Sequence, residues 1–124
     1  MQTVIETPAY LASADEEGLT ESERAAIASA LARNPAVGDL MPGTGGARKV
    51  RFSGRGKGKS GGYRVITFYG GEDIPVFLLD VYGKGSRANL SKAARNELRT
   101  VLTALPRAWR EQAKARARRG IVER

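Results

Sequence analysis

Asp39-Leu40-Met41-Pro42-Gly43-Thr44-Gly45-Gly46-Ala47-Arg48-Lys49-Val50-Arg51-Phe52 is followed, after a Gly/Lys/Arg loop, by Gly61-Gly62-Tyr63-Arg64-Val65-Ile66-Thr67-Phe68-Tyr69. The fold turns on this stretch, which reads as two short strands joined by a glycine-rich, cationic connection. Along residues 47–52 apolar and basic residues alternate with the period of two that a half-buried strand requires. Val50 and Phe52 are then directed to a core, leaving Lys49 and Arg51 together on the other side. Arg64 opens the neighbouring strand, so hairpin pairing brings Lys49, Arg51 and Arg64 close together. Like charges at such spacing repel unless an anion sits between them. The same pattern also fits a row of solvated cations on an exposed strand face.

Working outward, residues 3–6 form an opening strand. Thr7-Pro8 starts a helix, with Thr as N-cap and Pro at the first helical position, and Gly18 ends it. Thr20-Glu21-Ser22-Glu23 carries a reciprocal capping box before a second helix with Ile27, Ala30 and Leu31 on one face, closed at Asn34-Pro35. Beyond the central stretch, Gly70-Gly71-Glu72-Asp73 is a hairpin connection. The nearly continuous apolar run Ile74 to Tyr82 reads as a strand covered on both faces. Ser91 caps a last helix whose apolar stripe is Ala94, Leu98, Val101, Leu102 and Leu105, and Pro106 is expected to interrupt it. The basic residues after it form either a second helix or a segment that orders on a partner. The elements give a small α+β domain over residues 1–105: an N-terminal strand and two helices packed on an antiparallel sheet, with a closing helix. Residues 106–124 are a basic C-terminal extension.

Composition narrows the chemistry. The chain has 124 residues, enough for one modest core, and no cysteine or histidine, which removes thiolate, Ser/His/Asp and Cys/His catalysis and the commonest zinc ligand. The carboxylates are scattered, so neither a metal site nor a cofactor is expected. Residues 1–46 hold two basic and seven acidic residues, a net of −5, whereas residues 47–124 hold nineteen basic and six acidic, a net of +13. That asymmetry points to a polyanionic partner for the second part, phosphate backbone first. With no leader pattern and no membrane-length apolar run, the expected location is the cytoplasm, without membrane contact.

Gly58-Lys59-Ser60 matches the end of a phosphate-binding P-loop, but Ser53 stands where that motif needs Gly, and a strand-like segment follows in place of a helix. A cationic loop lying along a nucleic-acid backbone suits the same residues better. RNA can supply its own nucleophile, the 2′-hydroxyl, so that a protein needs a proton acceptor, a donor for the leaving oxygen and cations for the growing charge. A lysine among other cations can be such an acceptor.

The run Pro42-Gly43-Thr44-Gly45-Gly46-Ala47-Arg48-Lys49-Val50-Arg51, with the later Gly58-Lys59-Ser60-Gly61-Gly62-Tyr63-Arg64-Val65-Ile66, closely resembles the HigB branch of the RelE/ParE superfamily of bacterial toxins. The order of elements matches as well, over about residues 3–104. The resemblance implies a RelE-like fold and a toxin of a type II toxin–antitoxin pair, which cleaves mRNA in the ribosomal A site without metal and is neutralised by a cognate antitoxin. It places the family's catalytic cations on Lys49, Arg51 and Arg64, with Lys84 at a basic position common in the branch. Lys49 is then the expected base, Arg51 and Arg64 hold the phosphate, and Lys84 or Arg87 serves the leaving side. Arg48, Arg55, Lys57, Lys59 and Arg87 are the expected RNA-backbone contacts, and the basic tail and the 54–60 loop would hold ribosomal RNA. The RelE pattern has a tyrosine after the last strand, but here no tyrosine follows Tyr82, and Tyr63 is expected to pack in the sheet. Two other readings stay open: a ParE-type blocker of DNA gyrase that cleaves nothing, and a non-catalytic RNA-binding module. The low aromatic content, 6%, argues against the base stacking that single-strand binders use.

Overall fold

The computed structural model describes residues 1–53, 62–83 and 90–123, with side chains in the last helix up to Arg118. Expected positions Arg55, Lys57, Lys59, Lys84 and Arg87 therefore lie outside the described residues. The order is β1 (Val4–Glu6), α1 (Pro8–Glu17), α2 (Glu21–Arg33), β2 (Asp39–Leu40), β3 (Arg48–Phe52), β4 (Tyr63–Phe68), β5 (Val76–Gly83) and α3 (Lys92–Glu123). The class is α+β, as the sequence implies.

Local signals explain the first two helices. The Thr7 hydroxyl accepts from the Tyr10 N–H at 3.2 Å and donates to the Leu78 carbonyl at 2.7 Å, so one side chain both caps α1 and ties it to β5. Gly18, at φ +78°, closes α1 in the left-handed conformation. In α2 the Glu23 N–H donates to the Thr20 hydroxyl and the Thr20 N–H to the Glu23 carboxylate, at 3.0 and 2.9 Å, the expected capping box. Arg24 holds Glu6 through two bonds of 3.0 Å, joining α2 to β1. Beneath them, burial pushes the Tyr10 phenol up to about 12; Glu6 adds to the rise and Arg24 offsets part of it.

The five strands lie in the order β1-β5-β4-β3-β2. The sheet is mixed, where an antiparallel one was expected: β1 runs parallel to β5, with Val4 opposite Val76 and Glu6 opposite Leu78. Alternation within a strand fixes which residues share a face but not the direction of a partner seventy residues away. One face packs on α1 and α2 through Tyr10, Ala14, Ile27, Leu31, Val50, Val65, Leu78 and Val81. The other packs on α3 through Met41, Ala47, Ile66, Phe68, Phe77, Tyr82 and Leu102. β5, between β1 and β4, is buried on both faces, as its apolar run predicts.

α3 departs from expectation. It runs unbroken through Pro106, for 32 residues, although proline removes one backbone donor and crowds the preceding turn. Contacts beyond the proline hold the helix in line. Trp109 meets Phe77 edge-on with ring centres 5.7 Å apart, and Arg110 grips Asp73 at 2.7 and 3.0 Å. The proline ring sits against Gly70, where an added Cβ would come within 3.2 Å of Pro106 Cγ. Val101, expected on the apolar stripe, is 53% exposed, because the contact with the sheet is centred on Leu98, Leu102 and Leu105.

The Arg110 guanidinium holds the Asp73 carboxyl below its ordinary value. A depressed folded value means that the bridge contributes above the ordinary Asp range and is lost as pH falls through the folded value. An NMR titration should place the Asp73 midpoint below 3.8, and Arg110→Gln should return it there. A midpoint at or above the ordinary value in the intact chain would mean that Asp73 does not anchor the helix.

Candidate nucleic-acid interface

The cationic face begins at a turn. Between β2 and β3 the Met41 N–H donates to the Ala47 carbonyl at 2.8 Å. The fully buried Thr44 hydroxyl donates to the Met41 carbonyl at 2.7 Å and accepts from the Ala47 N–H at 3.0 Å. Gly45, at φ +79°, lies so close to α3 that an added Cβ would be 3.2 Å from the Arg99 backbone. Arg95 reaches from the same helix to the Pro42 carbonyl at 2.9 Å. The Pro-Gly-Thr-Gly-Gly segment thus fastens the start of β3 to α3, with Ala47 fully buried between them.

From there register decides. β3 and β4 pair Lys49 with Ile66, Val50 with Val65 and Arg51 with Arg64. Directly opposed residues share a face, so Lys49, Arg51 and Arg64 all lie on the α3 side of the sheet. Lys49 and Arg64 are half-buried and Arg51 is exposed. None of the three has an ion-pair partner among the described residues. The Arg64 Nη1 is enclosed and has no hydrogen-bond partner among them. Like charges directly opposite one another destabilise a sheet by the order of 0.2–1 kcal/mol, and an enclosed, unsatisfied guanidinium nitrogen adds to that. Stability does not account for the arrangement, whereas an oxyanion seated between Arg51 and Arg64 would.

Arg48 is set apart from the other three. It falls on the opposite face, pairs with Thr67, and donates to the Gly38 carbonyl at 2.9 Å. Tyr63 pairs with Phe52 and packs with it against the α1/α2 core.

Sequence reasoning left Tyr82 without a role, and the structure shows why. A bulge opposite the Ile66–Thr67 step inserts one extra residue into β5. Simple alternation puts Tyr82, five residues after Phe77, on the other face; the bulge returns it to the same face, directly opposite Arg64. Arg51, Arg64 and Tyr82 therefore form one row across three strands, and Tyr82 is the one tyrosine on this face among the described residues. No sequence signal marks the bulge, since neither glycine nor proline lies at it.

Beyond Tyr82 the surface changes sign. A cleft of about 580 Å³, whose lining includes Glu16, Glu17, Asp80, Tyr82, Leu90 and Glu97, lies between α1 and α3. Among the described residues this lining carries carboxylates, Glu16, Glu17 and Glu97 among them, and no lysine or arginine, in contrast to the cations of β3 and β4. Among the described residues, no three carboxylates gather where they could hold a metal ion, and no helix is long and apolar enough to cross a membrane.

These features define a small α+β domain in which Lys49, Arg51 and Arg64, none with an ion-pair partner among the described residues, share the sheet face that also packs on α3. The family model for the RelE toxin of the RelE/RelB toxin–antitoxin system matches residues 6–123, and the chain belongs to that family. Its members are toxins of toxin–antitoxin pairs, generally ribonucleases that inhibit translation, and membership implies an antitoxin partner. The match takes in residues 106–123 together with the rest of α3.

Proposed function

We propose that this chain is a HigB-type toxin that cleaves mRNA in the ribosomal A site, in the cytoplasm, by attack of the substrate's own 2′-hydroxyl. The observation that carries the reading is the shared face of Lys49, Arg51 and Arg64, with an Arg64 nitrogen enclosed and without a hydrogen-bond partner among the described residues. Lys49 takes the proton from the 2′-hydroxyl. Arg51 and Arg64 hold the phosphate oxygens and stabilise the charge that grows as the 2′-oxygen bonds to phosphorus and the 5′-oxygen leaves. Tyr82, across from Arg64, is the described residue best situated to serve the leaving oxygen. Lys84 and Arg87 are proposed for the same side on the resemblance alone. The partners are the ribosome, its mRNA and the cognate antitoxin, and the chemistry needs no metal because the nucleophile belongs to the substrate.

The test uses purified chain, translating ribosomes and a defined mRNA. The expected products carry a 2′,3′-cyclic phosphate and a 5′-hydroxyl, and a transcript with one 2′-deoxynucleotide at the cut position should resist cleavage. Equal cutting of the deoxy transcript would exclude the mechanism. A gyrase blocker of the ParE type would instead halt supercoiling and leave both transcripts whole, an outcome disfavoured by a phosphate site that a blocker does not need.

A further inference from the structure

The cleft beside Tyr82 is where this cationic molecule turns acidic. The chain has a net charge of +8, yet Glu16 and Glu17 of α1 and Glu97 of α3 share the cleft's lining with no lysine or arginine among the described residues there. None of the three has a hydrogen-bond or ion-pair partner among those residues. Beside them Leu79, Leu90 and Leu98 are only half-buried, although each packs on the core under α3. The cleft, about 580 Å³ in volume, is therefore an apolar floor between two acidic walls.

The apolar surface continues past the cleft. Ala94 and Glu97 line it, and the same side of α3 runs on through Val101, Ala104 and Ala108, all five within about 40° of one line and over about 21 Å. Val101, Ala104 and Ala108 are exposed, Val101 by 53%. The cations of this stretch, Arg95, Arg99 and Arg107, stand more than about 90° from that line. An exposed apolar strip that adjoins an apolar cleft and is rimmed by charge suits contact with another protein. Charge selects the partner. A second copy of this chain is disfavoured, because two chains of net charge +8 repel. A segment with apolar residues on one face and Lys or Arg at its edges complements floor and walls together.

We propose that this groove between α1 and α3 receives the antitoxin, as a helix whose apolar stripe lies along Leu79, Leu90, Leu98 and Val101 and whose flanking Lys and Arg side chains meet Glu16, Glu17 and Glu97. A helix in a groove anchors through residues one turn apart, and 21 Å accepts about four turns. Tyr82 lines the same cleft and stands opposite Arg64 in the sheet, so the docked helix also covers one end of the cationic row. The effect of docking on cutting rests on the RNA-cleaving reading above; the seat on the three carboxylates does not.

The experiment measures the affinity of the full chain for its purified cognate antitoxin by calorimetry, with E16K/E17K/E97K and E16Q/E17Q/E97Q beside the unaltered protein. Charge reversal should weaken binding by about tenfold or more and charge removal by less, with the greatest loss at low salt. The three carboxylates hold no partner among the described residues, so the thermal melts should stay unchanged. In a second arm the Lys and Arg residues of the antitoxin's docking helix are replaced with Glu; this antitoxin should bind E16K/E17K/E97K more tightly than it binds the unaltered chain. Equal affinities across the series overturn the proposal, and so does a loss that the charge-swapped antitoxin fails to rescue, or a series that alters only self-association. E16Q/E17Q/E97Q should cut mRNA like the unaltered chain and resist inhibition by the antitoxin. If no chain cuts mRNA while charge reversal still releases the antitoxin, the docking groove stands and the RNA-cleaving reading fails.

Discussion

Replacing Lys49 and Arg64 together with alanine is expected to lower mRNA cleavage on translating ribosomes by about 10³-fold or more, while the protein melts at or slightly above its original temperature. A positioned base contributes roughly 10² to 10⁴ in rate and one charge-stabilising donor roughly 10² to 10³, and groups acting on one phosphate do not combine additively. The stability half of the expectation comes from register. Arg64 lies directly opposite Arg51 and carries an enclosed, unsatisfied nitrogen, so its removal relieves repulsion and breaks no hydrogen bond among the described residues. Lys49→Arg separates charge from proton transfer, because a guanidinium stays protonated and cannot act as a base. That variant should keep RNA affinity and lose cleavage. Wild-type cutting by the double variant would remove the site, and a large fall in melting temperature would show that these cations hold the fold.

Gly45→Ala is expected to destabilise the domain by about 2–4 kcal/mol, and Gly43→Ala, two residues earlier, by only about 1–2 kcal/mol. Both glycines have left-handed backbones, φ +79° and +76°, so each substitution carries the conformational cost of a side chain there, about 1–2 kcal/mol. The surroundings separate them. An added Cβ at Gly43 meets nothing within 4 Å, whereas at Gly45 it lies 3.2 Å from the Cα and carbonyl oxygen of Arg99, backbone that cannot rotate aside. Pushing this turn from α3 also displaces Ala47 and the start of β3, so Gly45→Ala should lose cleavage activity beyond what its stability loss explains. Urea titrations of the two variants provide the comparison. Equal midpoints would mean that the turn does not bear on the helix.

Much of this domain is legible residue by residue, because the signals involved are short-range. Thr7-Pro8, the Thr20/Glu23 box and Gly18 act within one turn of chain, and the alternation of Val50 and Phe52 with Lys49 and Arg51 is a property of the pleat itself. The same alternation was enough to predict that Lys49 and Arg51 share a face. The continuity of α3 was not legible. Proline at 106 is a local stop signal, overruled here by Phe77 and Asp73, which lie 29 and 33 residues before it along the chain.

Composition, caps and hydrophobic period thus determined the class of this protein, most of its elements and the excess of positive charge after residue 46, but neither the short strand β2 nor the continuity of α3. The pairing directions and the β5 bulge came from tertiary structure, and with them the row of Arg51, Arg64 and Tyr82. The physical reason is range. Backbone preference acts over a few residues, whereas strand register is settled by packing two cores at once, and a one-residue shift moves every following side chain to the other face.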